Sequence, residues 1–217
     1  MAHLRVDFRS EVMDMNTSMT VILPEQKKLD NTKVVYLLHG LADNCTGWSR
    51  YTSVERYARE KDVALVIPEV QRSFYADMLN GLDYFSFIND ELHRICQNFF
   101  GFADKRENRY VMGLSMGGYG AYKLALGTDR FAAAASLSGA VDLPLELTRE
   151  DRVKANGELW NNIFEDLNTV KGSKNDVLFL AEDKKKSGKP LPKLYMWCGT
   201  EDFIYELSVS AHKKLDE

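Results

Sequence analysis

The pentapeptide Gly113-Leu114-Ser115-Met116-Gly117 sets a serine between glycines placed two residues to either side. Residues 110–113 ahead of it read as a short apolar strand, and a helical pattern begins near Tyr119. A serine on such a strand–turn–helix junction has the setting of a nucleophile. The turn is so sharp that side chains at 113 and 117 would collide with neighbouring strands. Ser115 Oγ is expected to stand clear of the sheet, with a helix N-terminus behind it that favours developing negative charge. The Met116 N–H then supplies one donor for an oxyanion.

Two further segments belong with that serine. The run Val34–Leu38 leads into His39-Gly40-Leu41, where a glycine lets the backbone approach and the Leu41 N–H can serve as second oxyanion donor. His39 at this strand end is expected to brace the turn rather than act as a base. After the run Leu194–Cys198 comes Gly199-Thr200-Glu201-Asp202-Phe203, and Asp202 lies where an acid partner in the order Ser, acid, His belongs. Glu201 and Asp142 are its rivals. No base is evident among the four histidines. His3 lies in the N-terminal strand region, and His93 is expected on a solvated helix face. His212 sits in a helical pattern only ten residues after the acid.

These segments need a scaffold that carries them to one place. Short β-branched runs at Leu4–Phe8, Met19–Leu23, Val34–Leu38, Ala64–Pro68, Tyr110–Gly113, Ala132–Leu137 and Leu194–Cys198 alternate with helical patterns. The first two read as an antiparallel pair and the rest as buried parallel strands. The class is therefore α/β, a mostly parallel sheet with helices on both faces. In residues 85–99, Phe85, Ile88, Leu92, Ile95 and Phe99 form one apolar stripe. Residues 1–217 are expected to be one domain, with 140–191 a helical or irregular insertion near the site. The Lys184–Lys186 run and the pair Glu146 and Glu150 read as solvated.

Composition bounds the function. Of 217 residues, 45% are hydrophobic and 28% charged, which excludes disordered and collagen-like chains. A net charge of −4 argues against holding nucleic acid. Three scattered cysteines read as reduced thiols. Neither a signal-peptide core nor a membrane-length apolar run is present, so a cytoplasmic protein with no membrane partner is expected. No His/Cys ligand spacing points to a metal, and no cofactor is expected.

The segments LLHGLADNCTGW, GLDYFSFINDEL, GLSMGGYGAYKLAL, AASLSGAVDL and MWCGTEDFIYE together resemble the esterase D-like branch of α/β-hydrolases, and most of all bacterial tributyrin esterases. The resemblance runs from about residue 4 to the end. It implies an α/β-hydrolase fold and a serine carboxylesterase acting on short-chain acyl esters, a small-molecule substrate. It also implies Ser115 as nucleophile, Asp202 as triad acid, Leu41 and Met116 as oxyanion amides, and Trp48 as a substrate-side aromatic or a packing residue. Tyr75, Tyr84 and Phe85 share that ambiguity. In the family a further helix, a last strand and a histidine loop follow the position of Glu217, so the triad histidine is expected beyond residue 217. A binding module without catalysis, acyl transfer and S-formylglutathione hydrolysis stay open, although the loop ADNCTGW is unlike that of the last group. Acyl length, alcohol group and assembly into a homo-oligomer stay open too.

Overall fold

The computed structural model describes residues 1–216. Its strands are β1 (Ala2–Ser10), β2 (Met15–Leu23), β3 (Val34–Leu38), β4 (Ala64–Pro68), β5 (Arg109–Leu114), β6 (Ala133–Leu137) and β7 (Lys193–Trp197). Among the described residues they form one sheet in the order β1-β2-β4-β3-β5-β6-β7. The β1–β2 and β2–β4 pairs are antiparallel, and β4, β3, β5, β6 and β7 run parallel. This is the mostly parallel α/β sheet that the alternating runs predict. The burial of each strand follows from its place. All five residues of central β4 are buried, as expected where helices cover both faces. Edge strand β1 alternates, with His3, Arg5, Asp7 and Arg9 exposed. No helix among the described residues is long and apolar enough to cross a membrane.

The stretch 140–191 holds short helices at Leu143–Glu146, Glu150–Ala155, Gly157–Ile163 and Val177–Lys186, joined by irregular turns. Trp160 anchors it, its ring 4.7 Å from that of Phe74 and 6.2 Å from that of Phe164. Backbone bonds from Leu79 and Asn80 N–H to the Ile163 and Asn162 carbonyls tie it to the main body.

Several polar side chains are more buried than their sequence neighbourhood suggests. Residues 84–100 are helical throughout but pass through a π-helical segment, Phe87–Leu92. A π turn takes in one extra residue, so the inward face advances by one position after it. Cys96 is buried where Ile95 is expected, and Phe99 is 56% exposed. The same shift turns His93 inward, which corrects its expected solvated position. Its ring packs against Tyr36 at 4.5 Å and Phe131 at 5.4 Å, and neither nitrogen has a hydrogen-bond partner. Glu146 is likewise buried and paired with Arg149 and Arg152 rather than solvated. Lys184 is buried on the Thr128 carbonyl and Asp129, again unlike the expected solvated turn.

One face of the sheet is partly open. Strand β7, expected as a buried strand, is instead exposed at four of its five residues because no helix among the described residues covers that end of the sheet. In register across β5, β6 and β7 stand Tyr110, Ala133 and Lys193, then Met112, Ala135 and Tyr195, then Leu114, Leu137 and Trp197. Tyr195 and Trp197 are 59% and 56% exposed. Helix Val54–Lys61 covers the β3–β4 side of this face through Ala58, Leu37 and Leu65.

The buried histidine makes stability depend on pH. Burial first, then Arg109 and Arg130, hold His93 well below the ordinary imidazole range. In the unfolded chain it titrates near 6.5, so below that pH the unfolded state binds the extra proton. Stability is therefore expected to fall below about pH 6.5, by up to ~1.4 kcal/mol per pH unit. Urea denaturation at pH 5, 6 and 7 should show this slope reduced in His93→Phe. Equal slopes in the two proteins would refute the assignment.

Candidate active site

Ser115 stands at the junction between β5 and the helix Met116–Gly127, with φ 56° and ψ −117°. A non-glycine residue at positive φ is strained, and such strain persists only where the surroundings over-determine it. Here they do. Ser115 N–H donates to the Leu137 carbonyl at 2.9 Å, and its own carbonyl accepts from Gly118 and Tyr119 N–H. A Cβ at Gly113 would lie 2.4 Å from the Gly117 carbonyl, and one at Gly117 would lie 2.3 Å from the Leu38 carbonyl oxygen. The glycines are thus required by contact between β5, the helix start and the end of β3. Ser115 is half-buried, and its Oγ has no hydrogen-bond partner among the described residues.

The turn after β3 lies beside it. A Cβ on Gly40 would lie 3.8 Å from Ser115 Cβ, an ordinary van der Waals contact, so Gly40 stands beside the serine. Met116 N–H is the first of the helix, one of the donors that an α-helix leaves without an internal acceptor. A helix-start N–H next to an unpartnered serine hydroxyl is one part of what stabilisation of a tetrahedral oxyanion requires.

His39 braces this turn. Its Nδ1 donates to the Gly40 carbonyl at 2.8 Å, and its Nε2 accepts the Val70 N–H at 3.2 Å. A carbonyl only accepts and an amide N–H only donates, so the ring is the neutral Nδ1–H tautomer. Its lone pair is spent on Val70 and is not free for Ser115. Glu69 Oε1 lies 3.6 Å from Nε2, outside hydrogen-bond reach. Burial raises the Glu69 pKa, while the N–H groups of Gln71 and Cys45, which donate to its carboxylate at 3.0 and 3.1 Å, lower it. Two aromatic residues hold the same segment. Tyr75 hydroxyl donates to the His39 carbonyl at 2.9 Å, and Trp48 Nε1 donates to the Leu38 carbonyl at 3.0 Å. Both make packing contacts as well, Tyr75 against Gly120 and Trp48 against the Leu37–Ala58 cluster.

Asp202 follows β7 in a turn at the same end of the sheet as Ser115. Its Oδ1 accepts the Ile204 N–H at 3.1 Å. Two strand spacings separate β5 from β7, about 10 Å, room for an imidazole between acid and serine. Asp142 is unsuited to that task. It caps the helix Leu143–Glu146 and also accepts from Ser210 and Lys214 at 2.6 and 2.8 Å. Glu201 is exposed. His3 lies on β1, four strands from β5 across the sheet. His212 is 69% exposed and pairs with Asp216.

Sequence reasoning left Tyr75 undecided and did not single out Glu69 or Val70. These residues carry no motif, and their roles come from contacts far along the chain: Tyr75 and Val70 meet His39 across 36 and 31 residues, and Glu69 meets the Cys45 N–H across 24.

Comparison with known proteins adds an independent finding. A family model for esterases (Esterase) matches residues 10–206. An acetyl esterase of Caldicellulosiruptor saccharolyticus is 32% identical over 220 residues, which cover 95% of this chain and 83% of that protein. The Staphylococcus aureus fluorophosphonate-binding serine hydrolase F, with substrate bound, is 32% identical and superposes with a TM-score of 0.87. The S-formylglutathione hydrolase FrmB of Staphylococcus aureus, also 32% identical, superposes at 0.83. Each comparison covers 99% of this chain and 86% of the other.

The steric account of the glycines separates two substitutions. Gly117→Ala should cost at least about 2 kcal/mol, because backbone must move to admit the methyl group. Gly157→Ala meets nothing within 4 Å and should be neutral or gain up to about 1 kcal/mol of helix propensity. Chemical denaturation checks both, and equal midpoints would refute the account.

Proposed function

The chain belongs to the esterase family of α/β-hydrolases, and on that premise we propose that it hydrolyses short-chain acyl esters through an acyl-enzyme on Ser115. The observation that carries this reading is the strained, half-buried Ser115 with its unpartnered hydroxyl beside the Gly40–Leu41 turn. Ser115 Oγ attacks the ester carbonyl carbon and its proton passes to an imidazole. The Leu41 and Met116 N–H groups receive the oxyanion. Collapse of the tetrahedral intermediate expels the alcohol, which takes the proton back from the imidazolium. Water then repeats the sequence and releases the acid. Asp202 holds the imidazole in the right tautomer. His39 is not that base, since its ring is committed to the Gly40 carbonyl and the Val70 N–H. The tributyrin esterase resemblance and the acetyl esterase relative both favour a small acyl group.

A second reading is thioester hydrolysis, favoured by the 32% identical S-formylglutathione hydrolase. The acyl-enzyme is shared, and only the leaving group differs.

A fluorophosphonate should add covalently to Ser115, and Ser115→Ala should abolish the adduct in intact-mass measurement. Turnover of p-nitrophenyl butyrate should fall at least about a thousandfold in Ser115→Ala. Equal turnover by Ser115→Ala would overturn the nucleophile.

A further inference from the structure

The helix that begins at Ser115 carries a buried cation that the reaction does not use. Lys123 is 2% exposed. Its Nζ donates to Asn175 Oδ1 at 2.7 Å, and one turn earlier Tyr119 hydroxyl donates to the Asn175 main-chain carbonyl at 2.8 Å. The two side chains together clamp one residue of the 140–191 insertion onto the helix behind the nucleophile. The remaining neighbours of the ammonium are the faces of Phe85 and Tyr119, with centroids at 5.2 and 5.7 Å.

No carboxylate touches Lys123 among the described residues. Asp77 is near enough to attract it, but its oxygens accept from Ser86 N–H and Ser86 hydroxyl, each at 2.9 Å. Asp176, next to the clamp, accepts from Gly172, Leu178 and Phe179 N–H. On the insertion side stands Lys174, a like charge. Burying an ammonium against one amide oxygen and two rings is costly, whereas a neutral amine can make the same hydrogen bond without that cost.

We propose that Lys123 is a proton-controlled latch, docking the 172–176 turn of the insertion through Asn175 more tightly as a neutral amine than as an ammonium. The burial and charges already named act in that direction. Burial lowers the lysine, Asp77 opposes, Lys174 adds to the lowering, and the net value is about 7. When the turn lifts away, Lys123 reaches water and regains an ordinary value near 10.4, so opening takes up a proton at neutral pH. Acid therefore favours opening. The latch has a path to the site. The far end of the insertion packs through Trp160 on Phe74, whose neighbour Tyr75 holds the His39 carbonyl. Lys123 is thus a positioning residue that acts through Asn175, and it does not touch the reacting atoms.

Trypsin reads the latch without any esterase turnover, because Lys171 just precedes the turn, Lys174 lies within it, and both are exposed. Nicking at these sites is measured under native conditions between pH 6 and 8 and divided by cleavage of an unstructured peptide carrying the same sites. The wild-type chain should be nicked about tenfold faster at pH 6 than at pH 8 by proton linkage. Lys123→Met should lose that dependence. Should Lys123→Met fail to fold, Asn175→Asp gives the ammonium a carboxylate partner and should hold nicking low across the range. A pH dependence unchanged in either variant, or absent from wild type, would overturn the latch. Loss of fluorophosphonate labelling alone bears on Ser115 and leaves this result standing.

Discussion

Backbone packed against backbone, with no room for a Cβ, is the constraint on which the site depends. Gly113 meets Gly117, Gly117 meets Leu38 and His39, and Gly118 meets Ser136 and Gly139. Two strand ends, one helix start and the turn after β6 thereby converge within contact distance. That convergence leaves Ser115 a single way through, at positive φ, and its N–H bond to Leu137 ties the turn to the next strand. Strain at one residue survives because several packed elements hold it. The turn after β3 meets the same cluster through Gly117, where a Cβ would strike the Leu38 and His39 carbonyls, and Gly40 stands beside the serine.

Polar side chains then convert that approach into a defined turn. His39, Tyr75 and Trp48 each bond a main-chain group between Leu38 and Gly40. A buried carbonyl without a partner costs about 1–3 kcal/mol, so each bond both satisfies a group and orients the amide that follows. The histidine is thereby structural. Its tautomer is set by Val70 and Gly40, and both ring nitrogens are thereby committed.

Where sequence and structure diverge, the cause is tertiary. The stripe Phe85, Ile88, Leu92, Ile95 and Phe99 assumes an uninterrupted α-helical period, and the π segment shifts the inward face by one residue, exchanging Ile95 for Cys96 and burying His93. Glu146 and Lys184 look solvated in a polar run. They are buried because arginines three and six residues on, or an aspartate 55 residues away, meet them. Lys123 lies in an apolar helix pattern that says nothing of its partner, and Asn175 is 52 residues distant. By contrast, β3 and β4 match their predicted bounds residue for residue, and the other strands differ only at their ends.

By itself, then, the sequence determined the local grammar of this protein. Short apolar runs define parallel strands, and the glycine spacing around Ser115 marks a sharp turn, because periodicity and motif spacing are local properties of the chain. It also determined the esterase family. Tertiary structure decided what each polar group does. Only the fold pairs His39 with Val70 and Asp142 with Lys214, frees Ser115 Oγ, and sinks His93 and Lys123 into apolar surroundings. The cost of burying a charge or leaving a donor unpaired depends on which atoms arrive from elsewhere in the chain, and spacing along the sequence does not record them.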